Sequence, residues 1–175
     1  MTARIAVLTV SDRASQGVYE DRGGPAIEAW LRRAITSPVE VHREIIPDGR
    51  EIVAGAFRRW ADDGGADLIL ATGGTGPSPR DLTPEAMDDV VERHFPGFGE
   101  LMRAVSLREV PTAILSRQGA GTRGKTLIIT LPGKPTAIDT CLDAVFPAVP
   151  YCLDLMGGGR IETDPAICKA FRPKA

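Results

Sequence analysis

The stretch that most constrains this chain is Thr72-Gly73-Gly74-Thr75-Gly76-Pro77-Ser78-Pro79-Arg80-Asp81. It follows Asp67-Leu68-Ile69-Leu70-Ala71, an apolar run that reads as a buried strand. It precedes Thr83-Pro84-Glu85, which reads as a helix start with Thr83 as N-cap and Pro84 at the first helical position. Three glycines within four residues open backbone conformations closed to other residues, so successive N–H groups can converge on one point. Such a concavity suits phosphate oxygens, and Thr75 and Ser78 add hydroxyl donors. No Gly-Lys-Ser/Thr follows the glycines, so this is not a Walker A loop, and it does not fit the GxGxxG dinucleotide fingerprint. A bare GGTG also suits a plain strand-to-loop turn. Asp81, just beyond the glycines, favours a phosphate-and-metal site. On that reading a Cβ added at Gly74 obstructs phosphate and leaves stability little changed.

The same order of strand, turn and helix recurs along the chain. Arg4 to Val10 is an almost unbroken apolar run, as expected of a central parallel strand covered on both faces. A polar loop beginning Ser11-Asp12-Arg13 leads to a helix from Pro25, with Ile27, Trp30, Leu31 and Ala34 along one face. Val39 to Ile46 alternates and belongs nearer an edge. Pro47-Asp48-Gly49 then opens a helix striped by Ile52, Val53, Ala56, Phe57 and Trp60. Beyond the glycine loop, one helix is expected from Thr83 to about His94 and another along Phe98, Leu101, Met102 and Val105. Thr112 to Leu115 reads as a short strand and Ser116 to Lys125 as a polar loop. Thr126 to Leu131 is a buried strand ending in Pro132-Gly133-Lys134-Pro135, and Ile138, Cys141, Leu142 and Val145 mark the last clear helical face. Pro147 and Pro150 break or kink the chain beyond that helix, and the tail from about residue 158 is irregular.

Strands alternating with helices predict a doubly wound α/β domain, helices covering both faces of a mostly parallel sheet. The length of 175 residues fits a single domain spanning 1–175. A formal net charge of −2, without any basic run, argues against nucleic acid or an anionic membrane as partner. No apolar segment reaches the roughly 18 residues of a membrane span, and the expected location is the cytoplasm. Cys141, Cys152 and Cys168 lack CxxC spacing, and His42 and His94 lack HxxH context, so neither a disulfide framework nor a zinc site is indicated.

Ligands of doubly wound sheets bind at the carboxyl ends of the strands. Ser11-Asp12, Asp48, the TGGTG–Asp81 loop and the PGKP loop each come directly after an expected strand, so they should share one rim. Asp12, Asp48 and Asp81 then bring carboxylates beside a phosphate cradle. Mg²⁺ uses one or two such groups and fills its octahedron with water and substrate phosphate. Each aspartate also suits capping or turn formation. Together they indicate nucleotide or phosphoryl chemistry, which depends on positioning and charge neutralisation.

The segments TVSDRASQGVYEDRGGPAIEAWL, IPDG, LATGGTGPSPRDLTPEA, PGFGELMR, PTAILSRQ, LPGKPTAI and VPYCLDL, in this order and spacing, resemble the MogA-type molybdopterin adenylyltransferases of molybdenum-cofactor biosynthesis. The resemblance covers nearly the whole chain. It implies a three-layer α/β/α domain assembled as a homotrimer. It implies Mg²⁺-dependent transfer of AMP from ATP to the terminal phosphate of molybdopterin, with later handover to a molybdenum-insertion enzyme. It assigns Asp48 and Asp81 as the catalytic, metal-holding pair. Ser11, Asp12, Thr72, Gly73, Gly74, Thr75 and Gly76 fall to the nucleotide, and Ser106, Ser116, Pro132, Gly133 and Lys134 to molybdopterin. Thr130 departs from the Asn common in relatives. A non-catalytic pterin-binding or scaffolding module of the same fold is the alternative; it predicts damaged acidic positions, and both aspartates are present.

Overall fold

The computed structural model describes residues 2–174. In chain order the elements are β1 (Ala3–Val10), α1 (Asp12–Ser15), α2 (Gly23–Ala34), β2 (Val39–Ile46), α3 (Arg50–Arg58), β3 (Leu68–Thr72), α4 (Thr83–Asp88), β4 (Arg93–His94), α5 (Pro96–Ser106), β5 (Ala120–Arg123), β6 (Thr126–Leu131), α6 (Pro135–Val145) and α7 (Val149–Met156). They build one six-stranded sheet in the order β2-β1-β3-β6-β5-β4. Strands β2, β1, β3 and β6 run parallel, and β5 and β4 continue the sheet antiparallel. The expected α/β sheet is therefore present, with β1 inside and β2 at an edge.

Period-two alternation in the inner strands divides the interior. Ile5 and Val7 of β1, Leu68 and Leu70 of β3, and Leu127 and Ile129 of β6 face one core. Ala6, Leu8, Ile69, Ala71 and Ile128 face the other. The first core is closed by Trp30 of α2, Met102 of α5, Ile138 and Leu142 of α6, and Leu153 of α7. The second is closed by Val53 and Phe57 of α3 and Ala86 and Met87 of α4. Each inner-strand residue finds apolar cover whichever way it points, which is why these strands read as unbroken apolar runs.

Several elements depart from expectation. Helix α4 stops at Asp88 instead of near His94, because the chain returns to the sheet edge: Glu92 N–H donates to Thr122 O at 2.7 Å and Phe95 N–H to Ala120 O at 2.8 Å. Thr83 does not cap α4 through its side chain; its hydroxyl donates to Gly73 O at 2.9 Å. The segment Pro111–Leu115 is a 3₁₀ turn instead of a strand, and the expected polar loop after it contains β5. Helix α2 begins at Gly23, ahead of Pro25. The tail has little regular structure, yet it is anchored. Ile161 and Cys168 are buried, and Arg172 ties Asp154 to Glu162.

Candidate functional site

The carboxyl ends of β1, β2, β3 and β6 meet at one rim. Ser11 N–H donates to Ile46 O at 2.9 Å, joining the ends of β1 and β2. Ser11 Oγ accepts from Ala14 N–H at 3.2 Å and so caps α1. The next residues exchange bonds: Asp12 N–H donates to Asp48 Oδ2 at 2.8 Å, and Asp48 N–H to Asp12 Oδ1 at 3.0 Å. Arg80 grips both oxygens of Asp12, with Nη2 2.7 Å from Oδ2 and 3.0 Å from Oδ1. Asp12 is thus a bracket between the first strand end and the glycine loop. Asp48 and Asp81 instead line a cavity. Burial pushes the Asp48 carboxyl above the usual carboxylate range; the Asp12 amide pulls it down, and the charges of Asp12 and Asp81 push it further up. A site that raises a carboxyl through a neighbouring anion is one that a cation would relieve.

The glycine loop divides its labour. Gly73 has φ +104°, and a Cβ there would stand 2.2 Å from Val10 O, so the loop crosses the end of β1 in backbone contact. Its N–H donates to Leu131 O at 3.3 Å, which removes Gly73 from the donors expected to meet phosphate. Among the described residues the N–H groups of Gly74, Thr75 and Gly76 meet no protein acceptor. Thr72 is also structural: buried, its hydroxyl donates to Pro132 O at 2.7 Å and ties the glycine loop to the PGKP loop. Gly74, at φ +66°, has Thr83 Oγ1 2.3 Å from where its Cβ would lie. A Cβ at this position therefore strains the fold as well as the site, contrary to the expectation of a binding effect alone.

Two cavities open on this rim. One, of about 570 Å³, is lined by Ser11, Tyr19, Asp21, Asp48, Thr72 and Gly73 among others. The other, of about 450 Å³, takes in Thr75, Ser106, Ser116, Pro132 and Lys134. Gly74, Asp81, Gly133 and Thr136 line both. The expected nucleotide and pterin residues fall largely on opposite sides of that shared wall. Asp12 lines neither, and Thr75 and Gly76 line the smaller cavity beside the residues expected to meet pterin. Thr75 Oγ1 and Ser116 Oγ are 3.4 Å apart, and Ser106 Oγ is 3.8 Å from Cys141 Sγ. Lys134 precedes α6, exposed and without a carboxylate partner among the described residues.

Four further residues shape the site. Asp21 accepts from Thr9 Oγ1 at 3.0 Å and from the N–H groups of Gly23 and Gly24 at 3.0 and 3.2 Å, closing the far end of the larger cavity. Arg117 braces the glycine loop. Its N–H donates to Thr75 O at 2.8 Å, Nε to Gly76 O at 3.1 Å and Nη2 to Asp81 O at 2.6 Å, while Nη1 pairs with Glu85. That pairing holds the Glu85 carboxyl below its usual range. Gln118 borders the smaller cavity. Thr130 is fully buried, with Oγ1 accepting from Gly119 N–H at 2.8 Å, so it supports the site from behind. Apart from the segments that carry the family resemblance, polar residues beside glycine in EDRGG and LSRQG are the sequence signal for Asp21, Arg117 and Gln118.

The α/β sheet thus presents a glycine loop and Asp81 between two cavities, with Asp48 lining the larger, the layout of a small-molecule binding domain. Residues 6–151 match a family described as "Probable molybdopterin binding domain", and the chain belongs to that family. It is 53% identical to the molybdopterin adenylyltransferase of Helicobacter pylori strain J99, over 99% of this chain and 98% of that protein. It is 46% identical to the molybdopterin adenylyltransferase of Escherichia coli K12, over 99% of this chain and 95% of that one. Among solved structures, the molybdopterin biosynthesis enzyme MoaB of Thermus thermophilus superposes with a TM-score of 0.83 at 43% identity, over 92% of this chain and 100% of that one.

Proposed function

We propose that the chain transfers AMP from ATP to the terminal phosphate of molybdopterin, releasing pyrophosphate. The observation that carries this is the wall shared by the two cavities, with Asp81 and Gly74 exposed to both. ATP in the larger cavity and molybdopterin in the smaller would bring their phosphates together at that wall. A molybdopterin phosphate oxygen attacks the α-phosphorus of ATP. A new P–O bond forms as the bond to the α–β bridging oxygen breaks, and pyrophosphate leaves with the electron pair. The attacking phosphate is already largely ionised near pH 7, so no side chain need remove a proton. The N–H groups of Gly74, Thr75 and Gly76 supply donors to phosphate oxygen, and Lys134 adds a mobile positive charge from the pterin side.

The donor set fits Mg²⁺ carried by its substrate. Asp48 and Asp81 offer two carboxylates, and among the described residues no cluster of three or more His, Cys, Asp or Glu side chains forms a protein cage. Asp81 with Asp48 would hold the ion, which when bound offsets the repulsion between converging phosphates. Asp81→Asn keeps the shape and removes a charge. Adenylylation should fall roughly a hundredfold or more while molybdopterin binding persists. Wild-type turnover by both Asp81→Asn and Asp48→Asn would refute the assignment.

We further propose a homotrimer. Apolar side chains left in solvent, Ile114 at 68% exposure and Leu155 at 70%, support a covered surface. Light scattering should return about three times 18.7 kDa. Handover of the adenylylated product to a molybdenum-insertion enzyme completes the proposal. No helix among the described residues is long and apolar enough to cross a membrane.

A further inference from the structure

Gln118 is 2% exposed and borders the 450 Å³ cavity. Neither the nitrogen nor the oxygen of its carboxamide meets a hydrogen-bond partner among the described residues. Burying an amide this way is unfavourable, because no protein group takes the place of the water it gives up. The backbone that carries it is pinned on both sides. Arg103 Nη1 donates to Gln118 O at 2.9 Å, and the next residue, Gly119, donates its N–H to Thr130 Oγ1 at 2.8 Å. The amide therefore belongs to a fixed segment, not to a loop tip free to swing into water. Elsewhere the wall carries hydrocarbon from Val110, Ala113, Leu115 and Ala137, a surface that suits a flat ring more than a phosphate.

We propose that the Gln118 carboxamide is a specificity-determining group that reads the pyrimidine edge of the pterin. A carboxamide sets one acceptor beside donors in a single plane. The 2-amino-4-oxopyrimidine edge of a pterin sets N–H donors beside a carbonyl acceptor, so the two match as a pair of parallel hydrogen bonds. Phosphate offers no donor at neutral pH and would leave the amide oxygen unsatisfied. An amide unpaired within the protein is then the group that the correct ring satisfies. The assignment rests on the reading of this cavity as the molybdopterin side.

Gln118→Leu separates a reading role from a structural one, since the two predict opposite changes in stability. The orphan amide is removed, so the melting temperature of the ligand-free protein should rise by a few degrees. Molybdopterin affinity, titrated anaerobically, should fall about tenfold or more, and ATP affinity should stay at the wild-type value. KM for molybdopterin should rise more than kcat falls. Gln118→Met, closer in length, should reproduce the affinity loss if leucine leaves a gap. A lower melting temperature with unchanged molybdopterin affinity in both variants would overturn the proposal. So would a loss falling on ATP instead. Failure of the wild type to bind molybdopterin would instead refute the assignment of the cavity, which is the control that keeps the two apart.

Discussion

The two cavities are walled by different kinds of structure. The larger lies at the ends of parallel strands, where Gly73 crosses Val10, Asp48 accepts from Asp12 N–H, and Asp21 closes on Gly23 and Gly24. The smaller also uses the glycine and PGKP loops, and adds a wall of its own from the end of α5, the 3₁₀ turn Pro111–Leu115 and the segment leading into β5. Backbone amides at strand ends suit phosphate, which every nucleotide shares. Side chains on peripheral segments can change without disturbing the cores, and they suit the ring that distinguishes one substrate from another. On the proposed assignment, chemistry common to many ligands falls on the loops at the strand ends, and discrimination on the added wall.

Substitutions on either side test that contrast. The largest effect is expected at Gly73→Ala. Its Cβ would collide with Val10 O and its φ of +104° is closed to alanine, so stability should drop by about 3 kcal/mol or more, read by urea unfolding. Ala113→Asp tests the other wall. A carboxylate introduced among apolar groups and facing an anionic substrate should weaken molybdopterin binding by about tenfold or more, leaving ATP affinity and the unfolding midpoint near wild type. Equal losses for both ligands would mean that the cavities are one site.

Gly76→Ala probes the shared wall. Gly76 has no positive φ, and its Cβ would meet only Asp81, with Oδ2 at 2.8 Å. The carboxylate turns aside only by leaving Ser78 N–H, from which Oδ2 accepts at 3.0 Å, so stability should fall by about 1 kcal/mol while the rate falls roughly tenfold. This position, unlike Gly74, adds a Cβ without a clash at Thr83. The smallest expected effect is on stability at Asp48. Because its folded carboxyl titrates above the ordinary range, it is protonated in folded and unfolded chains alike in strong acid and costs nothing there. As pH rises through the ordinary aspartate range towards the raised value, ionisation is harder in the folded state and stability is lost. Asp48→Asn should therefore melt slightly higher than wild type at neutral pH, with the difference vanishing in acid. A variant that melts lower at neutral pH would show that the Asp12 and Arg80 contacts outweigh burial.

The layering and the rim are legible in the order of residues alone. Apolar runs at 4–10, 67–71 and 126–131 read as strands covered on both faces, and parallel strands send their following loops to one edge, so Ser11, Asp48, Asp81 and the PGKP loop are expected to converge. The departures lie where local pattern competes with distant partners. Residues 120–123 carry little strand signal and become β5 because β6 offers a ladder. His94 leaves the expected helix for the same reason at the sheet edge. Asp12 looks like a ligand and is held by Arg80, 68 residues away in sequence; Gly73 looks like a donor and spends its N–H on Leu131. Gln118 reads as an ordinary loop residue, and only packing buries its amide without a partner beside a cavity. Periodicity reports which face of an element is covered. Which hydrogen bonds remain unspent depends on every segment that packs against it, and that is settled only when the chain has closed.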